Sequence, residues 1–220
     1  MFGKKSNYIN GAWVEGEGEI NNINPSDTND FIDTYSNASS NQLNDAVSSA
    51  KVAQKKWEKV GIEKRANILN DIGSEVIKQS KEIGTQLCRE EGKTLPEGIG
   101  EVVRSGQQFQ YYAASALRQF GENIASTREG VSVEMTREPV GVCGIISPWN
   151  FPIAIAAWKA APAMAFGNAI VLKPASQTPA SAIALTRIIS DQKDIPEGLF
   201  NLVLGGGGTI GHQISGHPDI

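Results

Sequence analysis

Apolar residues in this chain change their period from segment to segment, and the changes divide it into elements. Residues 7–35 carry short β-type runs broken by turn signals at Asn10-Gly11 and at Asn24-Pro25-Ser26-Asp27, which predicts an N-terminal β element. From Ser40 onward, Leu43, Val47, Ala50 and Trp57 recur at helical spacing with lysines on the other side, giving an amphipathic helix that Gly61 breaks. Ile62, Ala66, Leu69, Ile72 and Val76 mark a second helix, and Ile83, Leu87 and Cys88 a third that stops at Gly92. A fourth covers 96–120, with Pro96 at a first helical position, Ile99, Val103, Tyr112 and Leu117 on roughly one side, and Gly121 ending it. None of the four carries clustered catalytic chemistry, so they read as packing scaffold. Residues 131–137 then alternate strictly, Val131, Val133 and Met135 against Ser132, Glu134 and Thr136. That is an edge strand whose apolar side something must cover.

From residue 140 the pattern changes again. Residues 140–146 are almost wholly apolar with two glycines, as expected of a parallel strand covered on both faces, and the run stops at Ser147-Pro148. A helix over 153–166, a turn at Gly167-Asn168, a strand over 169–172 ending in Lys173, a helix over 179–191 and a strand over 199–204 ending in Gly205 follow. This order is a βαβαβ unit, and the fold class is α/β: a Rossmann-type parallel sheet with helices on both faces, preceded by N-terminal β and helical elements and a small β element. The divisions fall at 1–125, 126–139 and 140–220. Ligands of such sheets bind at the carboxyl ends of the strands, and those ends carry Asn150, Lys173 and the glycine run.

Composition narrows the function by exclusion. A net charge of −4 over 220 residues argues against a general polyanion binder and against nucleic acid as a partner, while leaving room for one local phosphate site. The two cysteines, Cys88 in a helical pattern and Cys143 inside an apolar strand, have neither metal nor disulfide spacing, and His212 and His217 lack metal spacing as well. A reducing cytoplasm fits. Met1-Phe2-Gly3-Lys4-Lys5 is followed by polar residues rather than an apolar secretory core. Residues 153–172 are mostly apolar, but Lys159, Pro162, Gly167 and Asn168 make them a buried helix, a turn and a strand rather than a membrane span.

The candidate chemistry centres on Pro148-Trp149-Asn150-Phe151-Pro152. Two prolines stiffen the backbone on either side of Asn150, a polar side chain placed just beyond a strand end. Its amide is placed to donate to a developing oxyanion, or else to cap a local turn. Lys173 is either a strand-end lysine whose stem lets it reach solvent or a ligand contact. Ser176 either opens the following helix or meets a ligand. Gly205-Gly206-Gly207-Gly208-Thr209-Ile210-Gly211 lacks the acidic ribose partner of a dinucleotide fingerprint and the Gly-Lys-Ser/Thr ending of a P-loop. Cys143 has no cationic neighbour to activate it and reads as packing.

Taken together, PWNFP with its Trp158-Lys159 helix, GNAIVLKPASQTP, the Leu204-to-His212 glycine turn, Tyr8-Ile9-Asn10-Gly11-Ala12-Trp13 and Glu90-Glu91-Gly92-Lys93 resemble the aldehyde dehydrogenase superfamily over essentially the whole chain. The family's nucleophilic cysteine and glutamate base lie further along than Ile220, so the resemblance is to the N-terminal part of such an enzyme. The resemblance implies that Asn150 stabilises the oxyanion formed when a thiolate attacks an aldehyde, before hydride transfer and thioester hydrolysis. It implies that Ile146, Ser147, Pro148 and Trp149 line the nicotinamide side of NAD or NADP. It also implies that Lys173 and Ser176 meet the adenosine ribose, that Ala175 is a further cofactor-binding residue, and that Gly207 lies by the adenine end. Many NAD-preferring members carry an acidic residue where Ser176 stands; a serine there implies that NADP is tolerated or preferred. The 126–139 element corresponds to the family's protruding β element, implying a homodimer or homotetramer in a full-length protein. The substrate implied is an aldehyde, with the PWNFPIAI and Ala157-Trp158-Lys159 wording closest to semialdehyde dehydrogenases, those acting on 2-oxoglutarate semialdehyde especially; succinate semialdehyde dehydrogenases share KPASQTP. The competing expectation is a non-catalytic chain that binds nucleotide or a partner, and an acyl-phosphate-forming or CoA-acylating relative is a third.

Overall fold

The apolar run at 169–173 forms the centre of the molecule. In the computed structural model, which describes residues 6–118 and 121–220, it is strand β8 (Ala169–Lys173), and all five of its residues are buried. β8 lies between β7 (Val142–Ile146) and β9 (Phe200–Leu202), parallel to both, with α5 (Pro152–Ala165) and α6 (Pro179–Ser190) as the two crossovers. The βαβαβ unit is therefore present. The N-terminal hairpin β1 (Asn7–Ile9) and β2 (Ala12–Val14) extends the same sheet, β1 pairing antiparallel with β9, to give the order β2-β1-β9-β8-β7. Asn10 and Gly11 take positive φ at the hairpin tip, the backbone that this dipeptide favours. β3 (Glu17–Ile23) and β4 (Phe31–Asn37) form a separate two-stranded ribbon.

Helices cover both faces. Alternation along β9 shows which: the Asn201 carboxamide meets Ser49 of α1 (Ser40–Trp57) at 3.3 Å, while its neighbour Phe200 lines one cavity with Ile189 and Ser190 of α6. α1 and α6 thus lie on opposite sides. Leu43, Val47, Ala50 and Trp57 are all buried, and the Trp57 indole donates to the Met164 carbonyl of α5 at 2.8 Å. α2 (Ile62–Lys78), α3 (Ser80–Glu91) and α4 (Leu95–Ala116) pack outside α5 and α6. Gly92 ends α3 in the left-handed conformation expected of it.

Three expectations need correction. The strand over 140–146 is not covered on both faces: β7 is the sheet edge among the described residues, Gly144 is exposed and Ile146 is 38 % exposed, so only part of this apolar run is core. The inward stripe of α4 is Val102, Phe109, Ala113 and Ala116, with Gly98, Glu101, Ser105 and Gly106, whereas Ile99, Val103 and Tyr112 flank it and Leu117 is exposed. Small residues lie there because α2 and α4 approach closely: a Cβ on Gly106 would fall 2.5 Å from the Gly73 carbonyl oxygen. Third, α4 stops at Ala116; Phe120, its expected last residue, and Met1 to Lys5 lie outside the described residues.

The alternating run at 131–137 is β6 (Ser132–Met135), paired antiparallel with β5 (Glu122–Ala125), and every residue of both strands is exposed. Ile124, Val133 and Met135, with Val131 just before β6, are its large exposed apolar residues. Among the described residues no helix is long and apolar enough to cross a membrane.

Candidate active site

The parallel register places the exits of β7 and β8 side by side, Ile146 opposite Lys173, and the Ser147 N–H donates to the Lys173 carbonyl at 3.1 Å. Beyond that bond the chain turns through Pro148 and Trp149 to Asn150 and Phe151, all exposed. Phe151 has φ −141° and ψ 66°, outside the helical region as the following Pro152 requires, and α5 begins at Pro152. The Asn150 side chain has no hydrogen-bond partner among the described residues; only its backbone carbonyl is held, by Lys93 Nζ at 3.2 Å. Asn150 therefore caps no turn. The loop leaves its amide free at the surface.

Lys173 does not reach solvent. It is 3 % exposed, and its ammonium donates to the Pro174 carbonyl and, at 2.9 Å, to the Gly205 carbonyl, joining the loops that follow β8 and β9. Burial lowers its pKa. No carboxylate pairs with it among the described residues. Ser176 donates from its hydroxyl to the same Gly205 oxygen at 3.1 Å, while the helix-capping position belongs to Thr178. Ala175 accepts the Thr178 N–H at 3.2 Å and is half-buried.

The glycine run forms the third side. Gly205 has φ 153°, and residues Gly207–Gly211 make one π-helical stretch leading into α7 (His212–Gly216). Among the described residues a Cβ on Gly207 or Gly208 would meet nothing within 4 Å. Packing therefore does not exclude a side chain at these two positions, and they form an open backbone ledge in the run whose Gly205 carbonyl meets the buried ammonium. This donor set suits a nucleotide: an ammonium, a hydroxyl with acceptor capacity left, and open backbone at the ends of parallel strands.

Two residues that look reactive are not. Burial raises the thiol pKa of both Cys143 and Cys88; Cys143 is half-buried rather than enclosed, and Cys88 donates to the Thr94 carbonyl at 3.2 Å. His217 contacts Asn44 at the surface, and no group of three metal-ligating side chains occurs among the described residues.

Neither α3 nor α4 carries clustered catalytic chemistry, yet both reach the site. Glu90, at the end of α3 and wholly buried, accepts the backbone N–H groups of Ala180 and Ser181, the Ser181 hydroxyl and the Asn22 amide. Glu101 on α4 accepts the N–H groups of Ile153 at 3.2 Å and Ala154 at 3.1 Å. Each carboxylate closes the first turn of a crossover helix, where unpaired N–H groups and the helix dipole favour an anion. Lys93, between them, pairs with Glu101 at 2.5 Å and Glu91 at 2.7 Å and lies 4.5 Å from the Phe151 ring centroid. Burial alone would lower its pKa, but the two carboxylates outweigh that and leave it raised. The available signals were the Glu90-Glu91-Gly92-Lys93 run and a glutamate at position 101 on the same stripe as Val102, Ser105 and Phe109.

Known proteins match the sequence and fold of this chain over nearly its whole length. The model of the aldehyde dehydrogenase family matches residues 13–220. The alpha-ketoglutaric semialdehyde dehydrogenase of Bacillus subtilis is 37% identical over 218 residues, covering 97% of this chain and 44% of that protein. Among solved structures, an NADP dependent enzyme of E. coli superposes with a TM-score of 0.95 at 29% identity, covering 100% of this chain and 46% of its own. Betaine aldehyde dehydrogenase of Staphylococcus aureus in complex with NAD+ superposes with a TM-score of 0.94 at 30% identity, covering 98% and 43%. The chain thus spans a little under half the length of the relatives it matches. With a family match that takes in all three strand exits and the loops between them, the chain belongs to the aldehyde dehydrogenase family.

Proposed function

We propose that the protein carrying this chain oxidises an aldehyde, a semialdehyde such as 2-oxoglutarate semialdehyde, to the carboxylic acid with NAD or NADP, and that this chain supplies the cofactor site and the oxyanion donor. The observation that carries the reading is the convergence of a free Asn150 amide, the Lys173 ammonium, the Ser176 hydroxyl and the glycine ledge at adjacent strand exits. The semialdehyde assignment draws on the Bacillus subtilis relative, and the cofactor on the solved structures with NAD+ and of an NADP dependent enzyme.

In this reading the backbone of Ile146, Ser147, Pro148 and Trp149 lines the nicotinamide side. Lys173 and Ser176, with Ala175 beside them, face the adenosine ribose, and Gly207 lies by the adenine. The bound cofactor supplies the hydride acceptor. What the chain's own residues do is more limited. Asn150 donates from its amide to the oxygen that becomes negative in the transition state, a donor whose hydrogens no bond to the described residues competes for. Lys173 offers its remaining N–H to a ribose hydroxyl or a 2′-phosphate, and Ser176, with no negative charge, does not repel that phosphate. NADP is therefore tolerated or preferred beside NAD.

The exposed ribbon of β5 and β6, carrying Ile124, Val131, Val133 and Met135, is the surface through which copies associate as a dimer or tetramer. The working compartment is the cytoplasm, where Cys88 and Cys143 stay reduced. The function is tested by purifying the natural protein that carries this chain and following reduced-cofactor absorbance with 2-oxoglutarate semialdehyde and succinate semialdehyde, each with NAD and NADP. Oxidation of either aldehyde is expected; no cofactor reduction with any combination would overturn the reading.

A further inference from the structure

We propose that the Lys93–Glu101 ion pair is a positioning device for Asn150: it holds the loop between β7 and α5 at its middle and at its helical end, and so sets where the Asn150 amide points. The inference rests on the reading of Asn150 as the oxyanion donor.

The carboxylate of Glu101 is divided between two tasks. Oε1 accepts the N–H groups of Ile153 and Ala154, which fixes the start of α5, and Oε2 holds Lys93 Nζ at 2.5 Å. Lys93 passes that anchorage forward. Its ammonium donates to the Asn150 carbonyl at 3.2 Å and lies 4.5 Å from the Phe151 ring centroid, so it grips two adjacent residues of the loop at once. The strand end of the loop is held separately, by the Ser147 N–H on the Lys173 carbonyl.

Two features separate this arrangement from an ordinary surface ion pair. The side chains of Glu101 and Lys93 are 1% and 11% exposed, so water does not compete for them as it does for a pair in solvent. The carbonyl that Lys93 grips belongs to the residue whose side chain is unbound among the described residues, so the backbone torsions at Asn150 are restrained while both amide hydrogens stay available. A donor that must meet a developing charge loses most of its effect when it wanders by an ångström. Neither Lys93 nor Glu101 need touch the substrate; both act through Asn150.

The test is a double-substitution cycle in the natural protein that carries this chain, assayed with succinate semialdehyde and 2-oxoglutarate semialdehyde, kcat being read at saturating NADP and the KM for NADP from a separate NADP titration. Lys93→Met is expected to lower kcat by about tenfold or more while the KM for NADP stays within about twofold, because Lys173 and Ser176 lie on another loop and the strand end of this one stays held by the Ser147 N–H on the Lys173 carbonyl. In an Asn150→Ala background the same Lys93→Met change is expected to alter kcat by less than about twofold, since there is no amide left to aim. Full multiplication of the two losses, or an unchanged kcat in Lys93→Met alone, overturns the positioning role. An unchanged kcat in Asn150→Ala alone sinks instead the oxyanion reading on which the inference rests. Should Lys93→Met not fold, Glu101→Gln goes through the same cycle with the same expectations: it keeps an acceptor for the α5 N–H groups and removes the charge that holds Lys93.

Discussion

The Glu90 carboxylate accepts the backbone N–H of Ala180 at 2.8 Å, so the last turn of α3 closes the first turn of α6. The bond spans ninety residues of sequence. With Glu101 doing the same for α5, the α3–α4 corner supports both loops that lead out of β7 and β8. A side-chain cap contributes about 0.5–2 kcal/mol, and a buried one that accepts several donors at once lies towards the upper end.

Glu90 also makes stability depend on pH. Complete burial pushes its carboxyl up from 4.5 to about 7, against the opposing pull of Ser181, Ala180 and Asn22. Because the folded-state value is the higher, its contribution is fully present below about pH 4.5 and is lost as the pH rises through about 7, a change of about 3 kcal/mol. Urea unfolding of the unmodified protein and of Glu90→Gln at about pH 5 and about pH 8 measures it. The stability of the unmodified protein relative to the variant should fall between the two; a constant or rising difference contradicts the assignment.

Asn150→Ala separates function from stability. The amide has no partner among the described residues, so the unfolding free energy should move by less than about 0.5 kcal/mol. Aldehyde turnover should drop roughly 10²–10³-fold, the usual cost of removing one oxyanion donor. Normal turnover in a folded variant would return Asn150 to an ordinary surface residue.

Ser176→Glu puts a carboxylate where the hydroxyl now bonds Gly205. The new charge should repel a 2′-phosphate and accept from a 2′-hydroxyl, so the NADP-to-NAD preference should fall by about tenfold or more. Cofactor titration by fluorescence, without any aldehyde, is sufficient. Equal losses for the two cofactors would remove Ser176 from the ribose site.

Gly205→Ala probes the acceptor that Lys173 and Ser176 share. Its φ of 153° is poorly suited to a side chain, and the added Cβ would fall 2.5 Å from Ile210 Cγ1. Stability should drop by about 1–3 kcal/mol, and binding of either cofactor should weaken as the carbonyl moves away from both donors. Calorimetry with and without NADP distinguishes the two effects; unchanged binding in the variant would show that Gly205 does not shape the site.

The sequence by itself determined the helices, the βαβαβ order and the loop residues at the strand exits. Period is a local property, and Leu43, Val47, Ala50 and Trp57 announce a buried helical face without knowledge of what covers it. Pro148 and Pro152 likewise bracket Asn150 through their own backbone restraints. Only the tertiary structure decided which apolar runs were core. β8 is buried throughout while β7 is a half-open edge, because coverage depends on which strands and helices lie alongside. Only the tertiary structure made Glu90, Lys93 and Glu101 part of the site. A carboxylate on a helix face reads as solvent-facing until the N-terminus of another helix is brought against it, and no pattern along the chain records where that N-terminus will lie.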